Sequence, residues 1–324
     1  MSVNLTALCA GLLAACAAGA ATAAAAYPEK PLRMIAPFAT GGNTDITARL
    51  VAQGLSERLG RPVVVENRGG AGGRIGTALA AQAAPDGYTL LLGSNGPLAI
   101  NPGFISNLPY DPLRDFAYTS LVSSVALVLS AHPSVPARSV RELITLAKSR
   151  PGQLTMGSAG VGSNTHLTGE LFQMVTATKF VHVPFKGSGQ ALIDLLGGQV
   201  DFMFDQLSSS LPMIKGGKLR ALGMATMQRS PMLPEVPTIN ESGVRDFEGS
   251  TYTGVMLPAA TPREIVMTIY DALTQWLDQP STRESFAKLG TEVIKSTPEE
   301  AAQRIRNDII KWTKVRIATN IKLD

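Results

Sequence analysis

Cysteine is almost missing from this sequence. Of 324 residues only Cys9 and Cys16 are cysteine, and both lie in an uncharged, Ala- and Leu-rich opening segment. Beyond that segment disulfides, thiol catalysis and Cys-ligated zinc are excluded. Charge is sparse at 17%, and Lys and Arg are scattered although the net charge is +4. With aromatics at 6% and no aromatic-basic stripe, nucleic-acid binding is not expected. Histidine occurs only as His132, His166 and His182. His166 and Glu170 stand four apart on one helical face without a third ligand, so neither a metal nor another cofactor is expected. No G-x-S-x-G elbow and no G-x-x-x-x-G-K-[ST] loop occurs. Gly160-Val161-Gly162 begins a dinucleotide-like pattern that breaks where Thr165 takes the place of the third glycine.

Long apolar runs are also lacking. The stretch from Leu5 to Ala18 falls short of the roughly 20 residues of a membrane span. Ala24-Ala25-Ala26 before Tyr27 reads as a small-residue cleavage site, so residues 1–26 are expected to be a secretory signal peptide and the protein periplasmic. The n-region is weak, with no charged side chain. An alternative is a lipoprotein signal, because Leu13-Ala14-Ala15-Cys16 resembles a lipobox. The 45% apolar content places the remainder among globular chains.

What is present is a short pattern used twice. Residues 41–48 read GGNTDITA and residues 162–169 read GSNTHLTG, so Gly41, Asn43, Thr44 and Thr47 recur as Gly162, Asn164, Thr165 and Thr168. Each copy follows a short apolar run and opens an amphipathic segment, which reads as strand, glycine turn, helix. Such a turn presents unpaired backbone N–H groups and the positive end of a helix dipole, which suits an anion. Two of them suggest two lobes gripping one small anion; two unrelated βα turns would read the same.

The rest alternates strand and helix patterns. Strands are predicted at Leu32–Ala36, Val63–Val65 (buried), Tyr88–Gly93, Val125–Leu129, Leu154–Met156, Phe180–Val183, Val200–Phe204 and Leu219–Met224. Helices are predicted over Asn43–Leu59 and Ile75–Ala84, and from Ser139 (with Glu142 as a capping box), Asn164, Ser188 and about Gln206. Pro262 and Pro298 read as first helical positions. This is an α/β chain with mostly parallel sheets and no linker.

Longer motifs then carry a resemblance. PFATGGNTDITARL (37–50), VVVENRGGAGGRIG (63–76), APDGYTLLLGS (84–94), GSAGVGSNTHLTGELF (157–172), VHVPFKGSGQAL (181–192) and GGQVDFMFDQ (197–206) resemble the tripartite tricarboxylate transporter substrate-binding proteins, the Bug family. LPEVPTINESG (233–243) and LPAATP (257–262) continue the likeness over nearly all of the chain after residue 26. The resemblance implies a two-lobed α/β periplasmic binding protein, each lobe a mostly parallel sheet flanked by helices. One lobe would comprise residues 27–124 and 253–324, the other residues 125–252. It implies capture of a small organic carboxylate (a dicarboxylate, tricarboxylate, acidic amino acid or aromatic acid), delivery to membrane transporter subunits, and a monomer. Orphan sensing for a membrane partner stays open as an alternative, as does a secreted hydrolase or isomerase with an irregular site. Three positions depart from the family pattern: Phe185 where Tyr is usual, Tyr252 where Trp is usual, and Arg74 where a small or amide residue is usual.

The candidate ligand residues follow from these motifs. The first loop supplies Phe38, Ala39, Thr40, Gly41, Gly42, Asn43, Thr44 and Asp45, with Gly41 and Gly42 expected to take positive φ. A carboxylate beside an anion repels it, so Asp45 reads either as a helix-start cap or as a partner for a ligand ammonium. Ser94 and Asn95 end a strand. The second loop supplies Ser158, Ala159, Gly160, Gly162, Ser163, Thr165 and His166, the last either a protonated carboxylate binder or a neutral hydrogen-bonding residue. Phe185, Lys186 and Gly187 come from the PFKG motif, and Lys186 reads equally as surface or pocket. Asp205, at a strand end, reads as a ligand acceptor or as a cap for the following helix. Gly42 and Gly160 are the glycines expected to be needed for close backbone approach. Recognition is expected from neutral N–H and hydroxyl groups instead of an arginine clamp.

Overall fold

The computed structural model describes residues 27–319, so the signal-peptide and lipoprotein readings fall outside the described residues. The chain runs β1 (Leu32–Ala36), α1 (Asn43–Leu59), β2 (Val63–Asn67), α2 (Arg74–Ala81), β3 (Thr89–Ser94), a short α3 (Asn101–Phe104) and the 16-residue β4 (Phe116–Ala131). It continues through α4 (Val140–Ser149), β5 (Thr155–Ser158), α5 (Asn164–Thr176), β6 (Val181–Pro184), α6 (Ser188–Leu196), β7 (Phe202–Gln206), α7 (Leu207–Lys215) and β8 (Arg220–Met224). It returns along β9 (Ser250–Pro258) and closes with α8 (Arg263–Leu277), α9 (Pro280–Lys288), β10 (Thr291–Val293) and α10 (Pro298–Thr319).

The strand order is β2-β1-β3-β9-β4-β7-β5-β6, with β8 and β10 also paired to β4. Each half holds three parallel strands: β2-β1-β3 and β7-β5-β6. Every pairing that involves β4 or β9 is antiparallel. Up to Ala126, β4 pairs with β9 and β10; from Leu127 it pairs with β7 and β8. One long strand therefore serves two lobes, and β9 carries the chain back beside it.

Sequence patterning saw only the apolar end of β4. Its first half is interrupted by Thr119, Ser120, Ser123 and Ser124, of which the first three are buried. Their hydroxyls are paired: Thr119 Oγ1 donates to Val255 O at 2.7 Å, and Ser123 Oγ bonds Thr253 Oγ1 at 2.8 Å. Buried polar groups matched in this way are tolerated in a strand. β2 is an edge strand, which corrects its reading as buried: Val63 faces the core while Val64 is 57% exposed. At α8, Pro262 is the N-cap instead of the first helical residue.

Apolar periodicity builds a separate core for each lobe. In the first, Leu32, Met34 and Leu90 of the sheet pack against Leu55 of α1 and Ile269, Leu273 and Trp276 of α8. In the second, Leu129, Met156, Phe202 and Phe204 pack against Phe172 of α5 with Phe180 and Phe247. Local caps hold the helices. Ser139 Oγ accepts from Glu142 N–H at α4, and Thr297 and Glu300 bond each other's backbone N–H at α10. Among the described residues no helix is long and apolar enough to cross a membrane. The C-terminal ends of β1, β3, β5 and β7 and the N-termini of α1, α5 and α6 meet where the two lobes touch.

Candidate functional site

The helices that open at this seam do so for local reasons. Each follows a strand end through a glycine-containing turn. At α1 the N-cap is Gly42 and no side chain caps it; the same holds for Gly187 at α6. At α5 the N-cap Ser163 accepts from His166 N–H. The freed N–H groups of these first turns and the dipole ends they carry need an acceptor.

Phe38, Gly42, Asn43, Thr44 and Ser94 of the first lobe enclose a cleft with Ala159, Ser163, Asn164, Ser188 and Gln206 of the second, and with Thr251 at the start of β9. The space is about 330 Å³ between atomic surfaces, open solvent at its mouth included. Little of that space lies free inside the mouth. The lobes are thus closed on each other, and none of the lining residues is charged.

Hydrogen-bond bookkeeping defines what the cleft offers. Asn43 is 2% exposed; its Oδ1 accepts from Ser208 Oγ of the opposite lobe at 2.8 Å, and its Nδ2 has no partner. Thr251 Oγ1 accepts from Asn164 Nδ2 at 2.9 Å and from Gln206 Nε2 at 3.1 Å. With both lone pairs used, the Thr251 hydroxyl has only a proton left to give. Gln206 Oε1 accepts from Ser188 Oγ at 3.1 Å. The free Asn43 donor, the Thr251 proton and three helix N-termini converge on one small space.

The two carboxylates among the candidates are turned to structural tasks. Asp45 accepts from Gly41 N–H and Asn67 Nδ2, each at 3.0 Å, and pairs with Arg49 at 2.9 Å. Burial alone would raise its pKa, but the Gly41 N–H, Arg49 and Asn67 outweigh burial and lower it. It ties the first loop to α1 and β2 and does not line the cleft. Asp205 is fully buried, and its Oδ2 accepts from Ser209 Oγ and Ser210 Oγ at 2.6 and 2.7 Å. Burial pushes its pKa up. It is not a cap, because Gln206 is the N-cap of α7 and no side-chain cap bond forms there; Asp205 holds the first turn of α7 through the two serine hydroxyls and does not line the cleft.

The remaining candidates form the walls of the seam. Ala39 N–H donates to Lys186 O across the lobes at 3.1 Å. A Cβ on Gly72 would lie 2.2 Å from Val161 O, and one on Gly189 2.0 Å from Thr40 O, so backbone touches backbone between the lobes. Gly41 has positive φ as expected, whereas Gly42, at φ −90°, does not, which corrects that expectation. Gly162 has positive φ, and Gly160, at +115°, approaches Phe185 O and Gly72 N. Asn95 donates to Ser250 O at 3.0 Å at the lobe crossing. Thr165 Oγ1 accepts from Ala159 N–H, and Ser158 Oγ from Gly160 N–H. Phe185 and Lys186 line a separate notch at the seam.

Sequence reasoning missed Asn164, Ser188, Gln206 and Thr251 as lining residues. Asn164 carried a signal, since it is the counterpart of Asn43 in the repeated pattern. Ser188 follows the PFKG turn directly. Gln206 and Thr251 had none, because only the adjacency of β7 and β9 to the seam brings them there.

The second loop rests on two stacked imidazoles. His166 and His182 lie 3.9 Å apart between centroids and 15° from parallel. His166 Nδ1 accepts from Gly162 N–H at 3.2 Å, and His182 Nε2 bonds Ser158 Oγ at 2.6 Å. Burial, then the neighbouring His166, lowers the His182 pKa from 6.5 to about 4. The unfolded chain therefore takes up the proton first. The stabilising contribution is whole above the unfolded value of 6.5 and is lost as pH falls toward 4. Urea unfolding at pH 7 and pH 5 is expected to show a fall in stability that is smaller in a His182→Gln variant. An equal fall in both proteins would refute this role. Among the described residues no three His, Cys, Asp or Glu side chains converge as metal ligands.

Residues 47–321 match the sequence model of the tripartite tricarboxylate transporter family receptor. The chain is 39% identical over 325 residues to Protein BugT of Bordetella pertussis (strain Tohama I), covering 99% of this chain and 100% of the relative. The structure of Rpa4515 of R. palustris with adipate superposes with a TM-score of 0.88 at 34% identity, over 91% of this chain and 99% of that one. MatC (Rpa3494) from Rhodopseudomonas palustris with bound malate superposes with a TM-score of 0.86 at 33% identity, over 89% of this chain and 99% of that one.

Proposed function

We propose that this chain, which belongs to the tripartite tricarboxylate transporter receptor family, is a periplasmic solute-binding protein that captures a small organic carboxylate between its lobes. The observation that carries the reading is the uncharged, donor-rich cleft. The unpartnered Asn43 Nδ2, the Thr251 proton and the first turns of α1, α5 and α6 all face it. An oxyanion supplies the acceptors these groups lack, and it does so without a buried cation whose desolvation would cost several kcal/mol. The malate and adipate held by similar proteins favour a small dicarboxylate.

Of the residues expected from sequence, Phe38, Gly42, Asn43, Thr44, Ser94, Ala159 and Ser163 are proposed to contact the ligand. Asn164, Ser188, Gln206 and Thr251 are added to them. Ala39, Thr40, Gly41, Asp45, Asn95, Ser158, Gly160, Gly162, Thr165, His166, Phe185, Lys186, Gly187 and Asp205 are proposed to shape and close the cleft. The lobes are proposed as units of 27–124 with 253–324, and of 125–252, turning about the crossing near residues 125–127 and 249–252. Opening separates the loops, and ligand favours closure by bridging them. Delivery would be to tripartite-type membrane transporter subunits, and the ligand would leave unchanged.

Calorimetry with malate and adipate, in buffers with and without EDTA, tests this reading. Saturable binding of equal strength in both buffers is expected. It should be accompanied by a higher melting temperature, a smaller radius of gyration and recovery of the acid unaltered. Chemical conversion of the acid, or loss of binding in EDTA, would refute the reading. Native mass spectrometry of the purified protein would identify the small acid it carries.

A further inference from the structure

Outside the cleft, the seam holds a second recess. Arg74, at the start of α2 in the first lobe, and Lys186, before α6 in the second, line a single notch with Gly160, Val161, Pro184, Phe185 and others. The notch measures about 850 Å³ to atomic surfaces, its open mouth included. Arg74 gives its Nε–H to Ala71 O and keeps its other donors. No ion pair among the described residues includes either cation. No acidic residue lines the notch. Two of the three departures from the family pattern, Arg74 and Phe185, meet here. Because each lobe supplies one cation, closure forms the notch and brings two like charges into it.

We propose that this notch is a second anion site, assembled by lobe closure, that takes a carboxylate on an apolar body. The carboxylate bridges Arg74 and Lys186, and the apolar part rests on Phe185, Pro184 and Val161. An occupant removes the repulsion and adds two charge-assisted contacts that exist only in the closed form, so it shifts the population toward closure. The carboxylate has two sources, a free organic acid or an acidic, apolar segment of the membrane partner. In the second case the notch lets the partner distinguish closed receptors from open ones.

The proposal rests on the closing-lobe reading, and the experiment separates the two. Dyes are placed at Glu57→Cys and Lys148→Cys, exposed positions in the two lobes, in a full-length Cys9→Ala, Cys16→Ala background. Single-molecule energy transfer then reads the closed-to-open ratio. Ser163→Trp, which wedges the cleft, calibrates the open form and malate-saturated wild type the closed form; if the two give the same transfer, the lobes do not move and both readings fall. Lys186→Glu should pair with Arg74 and raise the closed-to-open ratio about two- to fivefold at low salt, as an exposed pair does. Arg74→Glu should do the same. The double reversal should return to the wild-type ratio, and 1 M salt should erase the differences, since screening then acts within about 3 Å.

Hexanoate, against chloride at equal ionic strength, and the peptide acetyl-Leu-Glu-Leu-Glu-Leu-amide are the two anion probes. Closure of wild type but not of Lys186→Glu by hexanoate supports the site and a free acid as its occupant. The same result with the peptide alone supports the site and a partner segment. If wild type closes with malate yet responds to neither probe, or if the charge reversals leave the ratio unchanged, the notch is not an anion site and the cleft reading stands.

Discussion

Replacing Gly189 by alanine is expected to abolish ligand capture while leaving both lobes folded. Gly189 is the second residue of α6, where alanine is favoured over glycine by about 1 kcal/mol, so the second lobe loses nothing. The added methyl group would lie 2.0 Å from Thr40 O, and 3.0 Å from Thr40 C and Gly41 C, all backbone atoms of the opposite lobe. Backbone cannot swing aside as a side chain can, so the closed arrangement is blocked. A ligand held by one lobe loses the other lobe's donors, and apparent affinity falls with the fraction of closed molecules. A loss of about 100-fold or more is expected for malate or adipate in calorimetry, alongside an unchanged circular dichroism spectrum. Gly42→Val is milder. Its Cβ would meet Gly189 N and Ser188 Cβ at 3.3 Å, close enough to require only small shifts. A loss of about 2 kcal/mol is expected there. Wild-type affinity in Gly189→Ala would mean that ligand is held in a more open arrangement.

Phe172→Ala carries the largest expected effect on stability. Phe172 is fully buried on α5, with Phe204 and Phe247 edge-on at centroid distances of 5.4 and 5.8 Å and Phe180 stacked at 6.3 Å. Removing the ring leaves a cavity among aromatic side chains that cannot collapse freely, at a cost of about 3–5 kcal/mol. That is a large part of a domain's total of about 5–15 kcal/mol. The effect should be confined to one lobe. Trp276 sits in the first core, apart from Phe172; Trp312 of α10 packs beside Leu167 of α5, so it is replaced by Phe in both proteins and fluorescence reports Trp276 alone. In urea the circular dichroism transition should move to lower concentration and separate from the tryptophan fluorescence transition. Coincident transitions in the variant would show that the lobes unfold as one unit, and a loss below about 1 kcal/mol would mean that the core repacks.

The local elements were legible because short-range physics decides them. The span of α1, from Asn43 to Leu59, follows from a glycine turn, an apolar stripe and the Gly60 stop, where Gly60 takes positive φ. The Ser139 cap followed from its spacing to Glu142 in the same way. The repeated Gly-x-Asn-Thr pattern marked two helix starts, and seven of the residues expected from those loops and the β3 end line the cleft.

What the sequence by itself determined is therefore the two lobes, the strand-turn-helix units and the family, because these depend on neighbours along the chain or on long ordered motifs. Tertiary structure alone decided which polar groups remain free. Asn43 and Asp45 stand two residues apart on one helix, yet Asn43 faces the cleft with an unpartnered donor while Asp45 turns to Gly41, Asn67 and Arg49. Gln206 and Thr251 reach the cleft only because β7 and β9 end at the seam. Arg74 and Lys186, far apart in sequence, line one notch because the lobes meet there. Whether a donor is spent or available depends on partners distant in sequence, and those partners are set by packing.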